Sequence, residues 1–133
     1  RERNSGTHVF FLEHIVKLEN IKNPREFAKS TLMMPSTQAI VEETKGNPDA
    51  IGYIGLGYLT KDVKAIAVAK APSSKFILPT VSTASNKTYP ISRPLYFYTK
   101  GAPLGTIKDF IDFSMGPKGQ AIILDTGFVP LSK

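Results

Sequence analysis

The chain has 133 residues, of which 41% are apolar and 21% charged, with 10 glycines, 10 prolines and no cysteine. This length and composition are typical of one folded domain with a core, and they exclude a disordered or fibrous protein. The net charge of +6 favours anionic partners. The basic residues are scattered, however, which argues against a nucleic-acid-binding face. Without cysteine there can be no disulfide, thiolate metal ligand or cysteine nucleophile.

The first predicted helix spans residues 7–18, and a loop follows over residues 20–35. Phe11, Ile15 and Leu18 recur at helical spacing, and apolar neighbours widen the stripe that they form. A wide apolar stripe of this kind predicts a helix with one face packed against a core.

The second predicted helix begins after Ser36 and stops at Gly46. Serine is a favoured N-cap residue, and glycine commonly ends a helix. Residues 51–56, 63–69 and 95–99 are short, apolar and rich in β-branched or aromatic side chains, so they are predicted to be strands.

Residues 70–94 contain four prolines and are predicted to hold one short helix near 80–86. A further amphipathic helix follows, and its apolar positions include Leu104, Ile107, Phe110 and Ile111.

Gly116 and Pro117 break this amphipathic helix and open a last one, which ends at Gly127, because proline is well placed in a first helical turn. Helices and strands therefore alternate along the chain, which predicts an α/β fold.

The first seven residues carry the most informative chemistry. Ser5, Gly6 and Thr7 directly precede the first helix, where backbone N–H groups lack partners in their own helix and the helix dipole is positive. Two hydroxyls and a glycine complete a small cradle for an anion. Arg1 adds a guanidinium, which can form a charge-assisted fork to a tetrahedral oxyanion. The same tripeptide is also common in ordinary helix capping, so the residues alone leave both interpretations open.

Catalytic and metal-binding alternatives are weaker. His8 and His14 are six residues apart and do not share a helix face well, which argues against a zinc site. Ser5 lacks the strand–turn–helix context of a hydrolase nucleophile. The glycines of residues 55–60 begin like a dinucleotide fingerprint, but Thr60 stands at its third glycine position. We therefore expect neither an enzyme nor a bound metal or cofactor.

The first seven residues, Arg-Glu-Arg-Asn-Ser-Gly-Thr, resemble the phosphate-contact motif of the phosphate-binding proteins of ABC importers (the PstS type). Three further blocks resemble that family in the same order: PDAIGYIGLGYL (48–59), YPISRPLYFYTKG (89–101) and FIDFSMGPKGQAIILDTGFVPL (110–131). Together they span nearly the whole chain. One departure is Gly116, which stands where members commonly have serine, and glycine also tolerates the N-cap role.

The resemblance implies a lobe of a type II periplasmic-binding-protein fold, a central sheet flanked by helices. Residues 1–89 would form the second ligand-binding lobe, incomplete at its N-terminus. Residues 90–133 would form the hinge return and the C-terminal helices of the first lobe. Arg93 falls in that return, and its sequence context leaves open an ion pair between lobes or a solvated side chain.

The resemblance also assigns the site. Arg1 would contact phosphate through its guanidinium, Ser5 and Thr7 through hydroxyl and backbone donors, and Gly6 through its backbone N–H. The implied function is capture of inorganic phosphate outside the cytoplasmic membrane and delivery to the permease subunits of an ABC transporter. Sulfate, molybdate and an adhesion or signalling module are the alternatives.

A further expectation concerns the extent of the protein. The chain does not begin with methionine and opens without a signal-peptide pattern, so we expect it to be part of a longer protein. The first lobe of the family, and in many members a lipid-anchored cysteine, would precede Arg1. This chain would then hold one wall of a cleft.

Overall fold

The computed structural model describes residues 1–131. The chain divides into two compact units, here called unit 1 (residues 1–64) and unit 2 (from residue 65 onwards). The described residues form helices joined by irregular segments. None of the helices within residues 1–131 combines the length and the apolar character that crossing a bilayer requires.

Unit 1 opens with helix α1 (Gly6–Phe11), which continues without a break into a π-helical turn (Leu12–Val16). The helical run ends because Leu18 and Glu19 turn to positive φ values of 54° and 60°. This conformation is unfavourable for residues with a Cβ and cannot continue a right-handed helix. The predicted helix over residues 7–18 is therefore present, and it ends at Val16, two residues before the predicted end.

Helix α2 (Thr37–Gly46) begins and ends where the sequence predicts. The Ser36 hydroxyl accepts a hydrogen bond from the backbone N–H of Ala39 at 3.0 Å, which is the N-cap bond expected of serine. Ile40 and Val41 on this helix are 7% and 2% exposed and form the apolar core of unit 1.

The chain after α2 packs closely on this helix at Gly52. A Cβ added to Gly52 would lie 2.6 Å from the Cγ2 of Ile40 and 3.0 Å from the Oγ1 of Thr44, so only a glycine fits at this approach.

In unit 2, helix α3 (Val81–Ser85) lies within the predicted short helical segment. Its N-terminus carries a capping box, in which the Thr80 hydroxyl accepts from the N–H of Thr83 and the Thr83 hydroxyl accepts from the N–H of Thr80.

Helices α4 (Gly105–Met115) and α5 (Pro117–Asp125) follow as a tight pair. Gly116 separates them and Pro117 opens α5, as predicted. A Cβ on Gly119 would lie 2.3 Å from the carbonyl oxygen of Phe113, so this contact requires glycine. At the end of α5, Gly127 takes a positive φ of 83°.

The predicted strands and central sheet are not formed among residues 1–131. Residues 51–56 are irregular and lead into a 3-10 turn (Leu56–Tyr58), and residues 95–99 are irregular and exposed. Residues 63–69 contribute only one antiparallel bridge, between Val68 and Ile77. A strand is stabilised by hydrogen bonds to a neighbouring strand, and apart from this bridge these segments pair with none within the described chain.

Candidate anion-binding site

The start of α1 presents backbone donors, as the sequence predicts. Ser5 is the N-cap with extended backbone angles, and its carbonyl accepts from the N–H of Val9 at 3.0 Å. Its hydroxyl makes no capping bond within the described residues, so it is not used to close the helix. Gly6 and Thr7 are the first helical residues, and their N–H groups have no acceptor in their own helix. Ordinary side-chain capping therefore does not explain Ser5.

Arg1 is fixed at a different helix. One guanidinium nitrogen, Nη1, donates to the Thr37 hydroxyl at 3.0 Å, and Thr37 is the first residue of α2. The Nε of Arg1 is buried and has no hydrogen-bond partner among residues 1–131. A buried donor without an acceptor costs about 1–3 kcal/mol.

The four predicted site residues thus lie at two helix ends of unit 1. Ser5, Gly6 and Thr7 form the start of α1, and the Arg1 side chain reaches the start of α2. No hydrogen bond joins the Arg1 side chain to the tripeptide within the described part of the chain. Both ends offer N–H donors and positive potential, which is the chemistry that an oxyanion needs.

Behind the tripeptide lies a small aromatic cluster. His8 is 5% exposed, and its Nδ1 lies 3.2 Å from the Tyr53 hydroxyl oxygen. The ring centroids of His8 and Phe27 are 5.0 Å apart. Phe11 stacks on Tyr53 with centroids 4.2 Å apart and a 9° angle between the rings. These stacked rings fix the part of α1 that directly follows Thr7.

Burial sets the protonation of this cluster. It lowers the pKa of His8, an effect that nearby positive charges including Arg3 reinforce. Burial also raises the pKa of Tyr53, against a smaller opposite effect from Arg1. Both rings are therefore neutral near pH 7, because a charge inside the cluster would lose its hydration.

A depression of about 560 Å³ lies beside α1. Arg3, His8, Glu26, Phe27 and Lys29 are among the residues that line it, whereas Arg1, Ser5, Gly6 and Thr7 are not. The predicted anion contacts therefore do not line this depression.

Sequence reasoning missed Thr37, His8 and Tyr53 as parts of this region. Thr37 is 36 residues from Arg1, and Tyr53 is 45 residues from His8. No local pattern connects residues so far apart. The one local signal is that His8 directly follows the tripeptide, so its ring is carried by the first turn of α1.

Among the described residues no three His, Asp or Glu side chains are grouped to hold a metal ion.

Residues 1–118 match the model of the PBP superfamily domain, so the chain belongs to the periplasmic-binding-protein superfamily.

Within that superfamily, the chain is similar to proteins whose names describe them as phosphate-binding. It is 30% identical over 135 residues to the phosphate-binding protein PstS of Pseudomonas aeruginosa, covering 98% of this chain and 40% of the relative. It is 34% identical over 133 residues to phosphate-binding protein PstS 2 of Streptococcus pneumoniae, covering 97% and 43%. It is 32% identical over 137 residues to PstS of Staphylococcus saprophyticus, covering 99% and 40%. The chain thus spans about two fifths of the length of these relatives.

Proposed function

We propose that this chain supplies one wall of an inorganic-phosphate site in an extracytoplasmic solute-binding protein. Arg1 provides the guanidinium, Ser5 and Thr7 provide hydroxyl and backbone donors, and Gly6 provides a backbone N–H. The protein binds phosphate and passes it to the permease subunits of an ABC transporter, and it makes or breaks no covalent bond. The relatives' names and the membership of the superfamily support this assignment.

The observation that carries the proposal is the state of Arg1. Its guanidinium is anchored by Thr37, so the side chain is held in place before any anion arrives. Its Nε is buried without an acceptor within residues 1–131. A phosphate oxygen would satisfy this donor, and a planar guanidinium can bond two oxygens of a tetrahedral anion at once. Because Arg1 is pre-positioned, little conformational entropy is lost on binding.

The remainder of the site belongs to the part of the relatives' length that this chain does not cover. Residues 1–89 would form most of the second lobe, and residues 90–133 the hinge return and the C-terminal helices of the first lobe. The first lobe would supply the opposite wall and the strands that pair with segments left irregular here. Binding would then occur in the crevice between lobes, at helix N-termini, as is usual for α/β binding proteins.

Anion selectivity would come from the opposite wall. Phosphate near neutral pH carries a proton and sulfate does not, so discrimination needs an acceptor. None of Arg1, Ser5, Gly6 and Thr7 is a carboxylate. We therefore expect the 133-residue chain to bind phosphate and sulfate with similar, weak affinity in calorimetric titrations. A clear preference of this chain for phosphate would mean that a local acid such as Glu2 completes the site.

The direct test is substitution of Arg1 in the full-length protein. Arg1→Ala removes a charge-assisted contact from a closed cleft and should weaken phosphate binding by about 2–5 kcal/mol, or roughly thirty- to several-thousand-fold. Arg1→Lys should restore only part of the loss, since an ammonium cannot form the same fork. Thr37→Val removes the anchor and should weaken binding by about fivefold. Calorimetry measures all three.

Arg3→Ala is the matched control, because Arg3 is exposed and two residues from Arg1. A solvated arginine contributes little, so we expect less than about a fivefold change. Equal weakening by Arg1→Ala and Arg3→Ala would indicate general electrostatic attraction. An unchanged affinity in Arg1→Ala would show that the site assignment is wrong.

A further inference from the structure

The depression beside α1 is not used by the proposed phosphate contacts. One of its walls is formed by the helical run that starts unit 1 and by the segment just before it, and the other by the loop that leads to α2. The first wall includes Arg3, Val9 and Leu12, and the second includes Phe27, Lys29 and Met33. Its volume of about 560 Å³ falls within the range of small-molecule sites, which is about 300–1,000 Å³.

The loop wall is held against the helical wall by contacts within unit 1. Lys17, at the end of the helical run, forms an ion pair with Glu26 at 2.8 Å. The Asn23 side chain donates to the carbonyl of Lys17 at 3.2 Å. The ring centroids of Phe27 and His8 are 5.0 Å apart. The depression is therefore formed in advance, so a ligand would pay little to order its walls.

Two cationic side chains line the depression without a partner. Arg3 and Lys29 are exposed, and neither makes a hydrogen bond or an ion pair among residues 1–131. Glu26 also lines the depression, but its carboxylate is already paired. The hydrogen bond from Lys17 and, at longer range, the charge of Arg3 lower the pKa of Glu26. The lining therefore offers an incoming ligand an excess of positive charge.

Much of the remaining lining is apolar. Val9 and Met33 are 40% and 38% exposed, so part of their apolar surface meets water in the absence of a ligand. Covering such surface is favourable. Cations beside apolar surface suit an anion that carries an apolar body. A stable protein partner would need about 20–30 residues on each side, far more than line this depression.

We propose that the depression binds a small organic anion, a carboxylate attached to an apolar body. The carboxylate lies near Arg3 and Lys29, since a guanidinium can bond both of its oxygens. The apolar body packs against Leu12, Phe27 and Met33. Arg1, Ser5, Gly6 and Thr7 do not line this depression, so the proposal does not depend on phosphate binding.

The test uses 4-phenylbutyrate as the probe, because this molecule joins a carboxylate to an aromatic ring through a short chain. The probe is titrated into the full-length protein, and the amide signals are followed by NMR. The signals of Val9, Leu12, Phe27 and Lys29 should shift together, with a dissociation constant on the order of 1 mM, as expected for so small a ligand. The same shifts should occur when the protein is saturated with inorganic phosphate.

Two related probes separate the role of the charge from that of the apolar body. 4-Phenylbutylamine has the same ring and chain with a positive charge. It should bind at least about tenfold more weakly, because Arg3 and Lys29 repel it. Acetate has the carboxylate without the ring, and it should shift none of these signals at the same concentration.

Substitutions test the lining directly. Arg3→Ala combined with Lys29→Ala removes both cations and should weaken 4-phenylbutyrate binding by about three- to tenfold. Lys22→Ala combined with Arg25→Ala is the matched control, because it removes two cations of the same loop that do not line the depression. This control should change the affinity by less than about twofold. Ala28→Trp replaces an exposed lining residue with an indole that fills the depression, and it should abolish measurable binding.

Several results would overturn the proposal. They are the absence of shifts with 4-phenylbutyrate, equal binding of 4-phenylbutylamine, and equal weakening by the two double variants. Shifts confined to Gly6 and Thr7 would mean that the carboxylate binds at the proposed phosphate donors instead, which also refutes a site in the depression. A protein that binds the probe at the depression but binds no phosphate would refute the proposed function and leave this inference standing.

Discussion

The two units differ in where their apolar side chains lie. Unit 1 buries Ile40, Val41 and the His8 ring, and its aromatic rings stack behind the start of α1. Unit 2 buries no large apolar side chain among its described residues. Residues 95–98 there are more than half exposed, and so is much of the apolar stripe of α4. An amphipathic helix forms from local signals, but its apolar face is stabilised only when another element covers it.

Unit 1 has a small buried core of its own, whereas unit 2 leaves its apolar side chains exposed. The contacts that hold Arg1 and the start of α1 lie within unit 1. The exposed face of unit 2 is the kind of surface that soluble proteins rarely leave open. We expect the remaining length found in the relatives to cover it.

The largest expected effect comes from the core of unit 1. Ile40→Ala should lower the free energy of unfolding by about 2–4 kcal/mol, because it removes buried methyl groups and leaves a cavity. Ile107→Ala in unit 2 changes a side chain that is 58% exposed. In the 133-residue chain it should change stability by less than about 0.5 kcal/mol. Urea denaturation of both variants measures the contrast.

Ile107→Ala in the full-length protein tests whether another part of the protein covers the exposed face of α4. If the face of α4 is covered there, the substitution should become destabilising, by about 1–3 kcal/mol. A cost of Ile107→Ala equal to that of Ile40→Ala in the 133-residue chain would contradict the assignment of an open face to unit 2.

The next effect concerns the contact between α4 and α5. Gly119→Ala places a Cβ 2.3 Å from the carbonyl oxygen of Phe113, so the helices must move apart. We expect a loss of about 1–3 kcal/mol, typical of overpacking. Gly46→Ala is the control, because a Cβ there meets nothing within 4 Å. It should be neutral or slightly stabilising, because alanine has the higher helix propensity. Thermal unfolding of both variants measures this difference in stability.

A smaller effect is the dependence of unit 1 on pH through His8. Burial holds the pKa of His8 below its ordinary value of 6.5, so between the two values the unfolded chain binds more protons than the folded chain. The free energy of unfolding therefore rises with pH in that window. The contribution is complete above pH 6.5 and is lost as the pH falls through the lowered pKa. His8→Gln should remove this dependence in denaturation curves, and His14→Gln should leave it unchanged.

Local signals in the sequence predicted the helices well. Ser36 marks the start of α2 by its own cap bond. At Gly127 the backbone N–H bonds the Leu124 carbonyl and the N–H of Phe128 bonds the Ile123 carbonyl, the pattern that ends a helix at a left-handed glycine. The residues that determine these helix boundaries lie within a few positions of them in the sequence.

The strands could not be predicted in the same way. Residues 51–56 and 95–99 have strand-like composition, but a strand also needs a neighbour, and its own residues do not show whether one is present. The site shows the same limit. The tripeptide and Arg1 are predicted as anion contacts from their spacing and from the resemblance, and this stays a prediction. The contact from Arg1 to Thr37 could not be predicted, because it depends on how α2 packs.

We propose that the anion binds in unit 1, at the helix ends that Arg1, Gly6 and Thr7 define. Arsenate is a tetrahedral oxyanion whose anomalous X-ray scattering locates it directly in a crystal of the full-length protein. We predict one strong anomalous peak at the arsenic position. The arsenate oxygens should lie about 3 Å from the N–H nitrogens of Gly6 and Thr7 and from the Arg1 guanidinium. A peak only in unit 2, or an anion bound without any of these three residues, would contradict the account.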